Sequence, residues 1–233
     1  MLAVWYSIVP EGYVLIPTLA EVAHTFTDLL RAGILLKDAW SSLTRVLVGV
    51  GISTVIAIAL GLISVYWKPF PDFLAGCVEL VRPVPPIAWT PLAIIAFGIG
   101  TGPAVAIVAL GSFFPVWMGI QQGLKEVNPL HVLAAGSLGC SRWTLLADVI
   151  VPSILPYAFH GLRLGVGLGW FCVVAAEMMG ASSGLGYGIQ LFSLNIEMPK
   201  MYSYLLTIGA LGYLSNALLQ NVDSRLNRWR GND

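Results

Sequence analysis

Two runs of 22 residues, 46–67 and 201–222, contain no Asp, Glu, Lys or Arg. At 1.5 Å per residue such a run reaches about 33 Å as a helix, enough to cross a hydrocarbon core about 30 Å thick. In lipid every backbone N–H and C=O needs a partner within the protein, so spans of this length must be helical. Charged residues make up 10% of the chain, against about 25% for a soluble domain. The sequence therefore predicts an all-α, polytopic membrane protein, a single domain over residues 1–233.

Three further segments read as spans. Residues 104–123 are uncharged, 157–180 is apolar apart from His160, Arg163 and Glu177, and 73–97 is apolar apart from Glu79 and Arg82 near its start. Pro83, Pro85 and Pro86 must distort or break that third helix, because each lacks an amide hydrogen and crowds the preceding turn. This makes five full spans. Residues 2–9 are apolar but too short to cross. No basic start or Ala-x-Ala site marks a cleavable signal peptide. Leu19, Val22, Ala23, Phe26, Leu29 and Leu30 recur at helical spacing, with Glu21, His24, Asp28 and Arg31 opposite. Residues 17–36 are thus expected to form an amphipathic helix at the membrane surface.

Five spans put the two ends on opposite sides. If the 127–156 connector and the C-terminal tail are cytoplasmic, eight Lys and Arg lie inside or near it (Lys68, Arg82, Lys125, Arg142, Arg163, Arg225, Arg228, Arg230) and four lie outside (Arg31, Lys37, Arg45, Lys200). That bias follows the positive-inside rule. The formal net charge is zero, which points to no nucleic-acid partner. Cys77, Cys140 and Cys172 are far apart, and His24, His131 and His160 lack ligand spacing, so neither a metal site nor a catalytic set is expected.

The connector 127–156 carries most of the soluble-looking character. Asn128 can cap a first helix and Pro129 suits its first turn. Gly139 stands where a left-handed C-terminal residue is commonest. Ser141 can cap a second helix over 142–151, which Pro152 is expected to stop or kink. Gly161, Gly165 and Gly169 sit four apart and form a doubled GxxxG stripe for close helix packing.

The pattern Ala134-Ala135-x-x-Leu138-Gly139, closing on Pro152 and Pro156, resembles the EAA loop of ABC importer permeases, with Leu133 where the family carries a glutamate. Further segments carry the likeness: PTLAEV at 17–22, VRPVPPIA at 81–88 with Pro91, FGIG at 97–100 with Phe113, Phe114 and Pro115, and AAEMMGASSGLGY at 175–187. The chain looks like the subfamily that imports sulfonates, taurine, nitrate, bicarbonate and similar small solutes. The resemblance implies a type I, MetI-like transmembrane domain with a short or remnant first span. It implies a second permease subunit, expected to be identical, and two ABC ATPase subunits docked on a cytoplasmic coupling loop at 127–156. Leu133, Ala134, Ala135, Leu138, Gly139 and Arg142 would form that contact. A periplasmic or surface-anchored binding protein would deliver the solute. The chain has no Gly-x-x-x-x-Gly-Lys-Ser/Thr, so ATP and Mg belong to the partner ATPase and the chain itself carries no cofactor.

An intramembrane carboxylate usually faces a cavity or a partner. Glu177 is therefore the leading path residue, either ordering the Gly/Ser loop after it or closing an outer gate; a plain structural carboxylate capping backbone is the other reading. Arg82 can pair with Glu79 or shape the path beside the proline break. Trp89, with Trp117, Trp170 and Phe171, can line a cavity or pack, and Ser182 and Ser183 can offer hydroxyls or form an ordinary turn. Two other classes fit in part: an ion-driven secondary carrier, suggested by broken helices and an intramembrane Glu, and a membrane-embedded enzyme, disfavoured by the lack of a clustered His/Asp/Glu set.

Overall fold

Thr18 opens the first described helix, α1 (Leu19–Arg31), through a capping box: its hydroxyl accepts from the Glu21 amide, and the Glu21 carboxylate accepts from the Thr18 amide at 2.9 Å. A computed structural model describes residues 16–67 and 69–226. The apolar face of α1 buries Val22 and Leu29. The expected surface helix at 17–36 ends earlier, because Gly33 takes φ +73° and breaks it. Leu35 and Leu36 belong instead to α2 (Ile34–Tyr66), which begins twelve residues before the predicted span at 46. Lys37, Asp38 and Arg45 thus lie inside a helix rather than ahead of one. The apolar start at 2–9, Lys68 and the tail residues Arg228 and Arg230 lie outside the described residues.

The proline cluster divides the predicted 73–97 span. α3 (Pro69–Val81) ends before Pro83, a 3₁₀ turn follows at Pro86–Trp89, and α4 (Thr90–Phe97) ends on Gly98 at φ +76°. Next come α5 (Thr101–Lys125), then α6 (Pro129–Ser137) and α7 (Arg142–Leu145) in the connector. Pro152 does not end the second connector helix. A π turn at Leu146–Ile150 leads directly into α8 (Val151–Gly180). There the Val151 amide reaches back five residues to the Leu146 carbonyl, and the Ser153 hydroxyl donates to the Val149 carbonyl at 2.7 Å. The wide turn admits a residue with no amide hydrogen without ending the helix.

The 180–200 segment, expected to be a loop, holds α9 (Leu185–Leu194); α10 (Met198–Leu226) follows. Among the described residues α2, α5 and the run Arg142–Gly180 are long and apolar enough to cross a membrane, and the bent α3–α4 pair makes four if it is one span. α10 is long enough at 29 residues but, with its Ser, Asn and Gln, is less apolar than these three.

The helices sort into two compact units. One gathers the described part of Met1–Leu47 with Ile87–Ile107 and Trp170–Leu214; the other gathers Val48–Pro86, Val108–Gly169 and the described part of Ser215–Asp233. In the second unit Ala57, Val116, Trp117 and Ile120 form a buried core. The glycine stripe of α8 lies against α5 there. A Cβ at Gly161 would stand 2.5 Å from the Pro115 carbonyl oxygen, and one at Gly119 would stand 2.5 Å from the Tyr157 carbonyl oxygen. Backbones can approach this closely only where side chains are absent. Ser112 donates to the Gly165 carbonyl at 2.9 Å, and Arg163 Nε donates to Asn216 at 2.7 Å. Beside this core an apolar hollow of about 150 Å³ is lined by Ile58, Gly61 and Leu62 of α2, Ile120 of α5, and Leu146 and Ile150 of the π turn.

Candidate functional site

Asp38, Ser42 and Arg45 recur at helical spacing on the first turns of α2 and lie on one face. In the first unit this face meets Glu177 near the C-terminal end of α8. Glu177 is fully buried and Arg45 is 3% exposed. Arg45 Nη1 donates to Glu177 Oε1 at 2.7 Å, and the Ser42 hydroxyl lies 2.8 and 2.9 Å from the two carboxylate oxygens. The Gly186 amide donates to Oε2 at 2.8 Å. Burying a charge carries a large desolvation cost unless a partner and hydrogen bonds offset it. Here the carboxylate has a cation, a hydroxyl and a backbone amide.

The same group holds the loop between α8 and α9. Arg45 Nη1 donates to the Ser183 carbonyl at 2.6 Å and Nη2 donates to the Ser183 hydroxyl at 3.1 Å. The Gly184 amide donates to Asp38 at 3.0 Å, and the Leu185 amide donates to Ser42 at 2.8 Å. The first amides of α9, which have no partner within a helix, therefore end on two carboxylates and a hydroxyl, and negative charge is favoured at that end of the helix dipole. Tyr204 of α10 closes the set by donating to the other Asp38 oxygen at 2.7 Å.

Glycine is required at the centre of this loop. Gly184 has φ +111°, and a Cβ there would stand 2.5 Å from Glu177 Cδ and 2.6 Å from Arg45 Nη1. Gly186 and Gly188 are equally crowded, against the Val174 carbonyl and the Tyr204 ring.

Of the residues expected in a path, the structure brings Glu177 and Ser183 together, while Ser182 is exposed. Trp89 sits in the 3₁₀ turn, where its indole N–H is buried without a hydrogen-bond partner among the described residues. Arg82 does not pair with Glu79. It stands exposed one residue beyond α3, because the residue before Pro83 is driven out of the helical region. Arg45, Ser42, Asp38 and Tyr204 were not expected in a site. Arg45 reads in sequence as a flanking charge, and the signal that marks it is the Asp38–Ser42–Arg45 stripe at i, i+4 and i+7.

The connector also has a defined geometry. Asn128 accepts from the Leu130 amide at 2.9 Å and Ser141 accepts from the Thr144 amide at 3.1 Å, so both expected caps are made. α6 ends in a Schellman turn: Gly139 has φ +73°, its amide donates to the Gly136 carbonyl, and the Cys140 amide reaches the Ala135 carbonyl. Ala135 is buried, whereas Leu133, Ala134, Leu138, Gly139 and Arg142 are exposed.

Residues 49–228 match the model of the family described as "Binding-protein-dependent transport system inner membrane component". The chain is 36% identical over 226 residues to a probable ABC transporter permease protein of Brucella abortus, covering 97% of this chain and 90% of that one. It is 35% identical over 191 residues to the taurine transport system permease protein TauC of Escherichia coli K12, covering 82% and 70%. The backbone matches a chain of the MetNI methionine ABC transporter in an inward-facing crystal form with a TM-score of 0.71, covering 87% of this chain and 98% of that one at 19% identity, which places the fold among those of ABC importers. These relatives are permeases rather than enzymes. With its long apolar helices, its importer fold and a family match over most of its length, this chain belongs to the inner-membrane components of binding-protein-dependent transport systems, the permease subunits of ABC importers.

Proposed function

We propose that the chain forms the solute path of an importer for small anions, with taurine-like sulfonates first and nitrate and bicarbonate as related candidates. The relation to the taurine permease supports this most directly, at 35% identity over 82% of the chain. An ABC permease takes its energy from a separate ATPase, so the ion-driven carrier is set aside.

In this reading the chain crosses the membrane five times, through α2, the bent α3–α4 pair, α5, α8 and α10. The 127–156 connector and the C-terminus face the cytoplasm. Two copies of the chain form one path, and two ATPase subunits carrying ATP and Mg dock on the connectors. A periplasmic or surface-anchored binding protein brings the solute. Residues 17–36 lie along the membrane surface. Glu177 holds the 181–184 loop in place at the outer part of the path, where the free Ser182 hydroxyl is offered to a passing anion. Trp89 and Arg82 flank the path near the proline break.

The test is reconstitution with the ATPase and binding protein in liposomes, following labelled taurine. Expected is uptake that needs both ATP and the binding protein, and that falls with Glu177→Gln. ATP-driven uptake of nitrate but not taurine would move the solute assignment. Failure of all three anions under conditions where the ATPase is active would overturn the anion reading.

A further inference from the structure

The turn between α6 and α7 exposes a group of large apolar side chains. Leu130 is 68% exposed, Leu133 66%, Leu138 82% and Trp143 76%. Leu130 and Leu133 are three apart and so share a face of α6, opposite the side that buries Ala135. Leu138 and Trp143 extend the patch across the Schellman turn onto α7. Between Glu126 and Asp148 the one charged side chain is Arg142, which is also exposed.

Hydrocarbon is not the natural cover for this patch. Residues 138–141 form a turn between two short helices, and irregular backbone of this kind is not left facing lipid. Asn128 and Ser141 cap both helix starts, and both are exposed, as are His131 and Arg142, which is the polar character of a water-facing connector. An apolar patch on a water-facing surface marks a protein interface. The partner is the ATPase subunit, because a permease without a nucleotide site must receive the energy of hydrolysis through a contact with it. This step rests on the docking assigned above to residues 127–156.

We infer that this permease engages its ATPase through a leucine-lined contact with no carboxylate of its own. The complementary groove on the ATPase is then apolar where it receives Leu133, with acidic side chains at the rim that faces Arg142. An ATPase groove that places a cation opposite position 133 would bury it against this leucine, unpaired. The leucine therefore selects the partner as well as holding it.

The experiment measures binding of the nucleotide-hydrolysing subunit that co-purifies with the wild-type chain, repurified and added to the permease in lipid nanodiscs. Leu133→Glu is expected to weaken binding on the order of thirtyfold, as loss of an interface hot spot does, and Leu133→Met to bind like wild type. Arg142→Ala is expected to bind more weakly at low salt and to match wild type at high salt. Both positions are exposed, and circular dichroism of each variant should match that of wild type. Leu138→Asp separates the inference from the reading beneath it. If Leu138→Asp loses the ATPase while Leu133→Glu binds as well as or better than wild type, docking stands and the leucine contact is wrong. If neither variant changes binding, both fall. An Arg142→Ala effect that is absent at low salt overturns the acidic rim.

Discussion

Arg45 and Glu177 are 132 positions apart in the chain, yet their guanidinium and carboxylate meet at 2.7 Å with almost no solvent access. The pair joins the start of α2 to the end of α8, and through Ser183 and Gly186 it fixes the loop and the first turn of α9.

Breaking one half of this pair leaves an uncompensated buried charge. Arg45→Met or Glu177→Leu alone is expected to cost about 3–5 kcal/mol, read as an earlier thermal transition of the purified protein. Arg45→Met with Glu177→Leu should recover much of that loss, since no lone charge remains. Single variants as stable as wild type would show that water reaches the pair.

Gly184→Ala tests the loop. Its φ of +111° and the nearby Glu177 carboxyl leave no room for a methyl group, and backbone strain alone is worth about 1–3 kcal/mol. Ser182→Ala, at an exposed neighbour, should leave the transition unmoved. Equal melting curves for the two would mean that the loop is not held as described.

At the α5–α8 crossing, position within the helix decides the outcome. Gly161→Ala pushes a methyl group into the Pro115 carbonyl, whereas Gly167→Ala meets nothing within 4 Å. Size-exclusion chromatography should show aggregated or lost protein for the first and a wild-type profile for the second. Matching profiles would argue that the two backbones are not in contact.

The π turn at Leu146–Ile150 lies between the connector and α8. Deleting Ala147 should turn it into regular α-helix and rotate everything before it by about 100° about the axis. The expected result is a protein that still inserts but whose partner ATPase no longer responds to solute. Unchanged solute-stimulated hydrolysis would mean the turn plays no part in coupling.

Much of this was legible in order along the chain. The uncharged runs, the Asn128 and Ser141 caps, the left-handed Gly139, the proline break after Arg82 and the spacing of Gly161, Gly165 and Gly169 are local signals, and each acts through its own backbone or its own helix face. The misplaced boundaries have local causes as well. α2 begins at Ile34 because the charges that seemed to bar it, Asp38 and Arg45, are satisfied by partners. α9 forms within a Gly/Ser-rich stretch because its first amides find Asp38, Ser42 and Glu177.

Those partners are what the sequence could not supply. Periodicity, caps and hydropathy depend on neighbours a few residues away, so the linear order determined helices, breaks, membrane class and family. Whether Arg45 is a solvated flanking charge or the buried counter-ion of Glu177 depends on which helices pack together. That was decided by the tertiary structure alone, because a buried charge is tolerated only where an opposite one arrives from elsewhere in the chain.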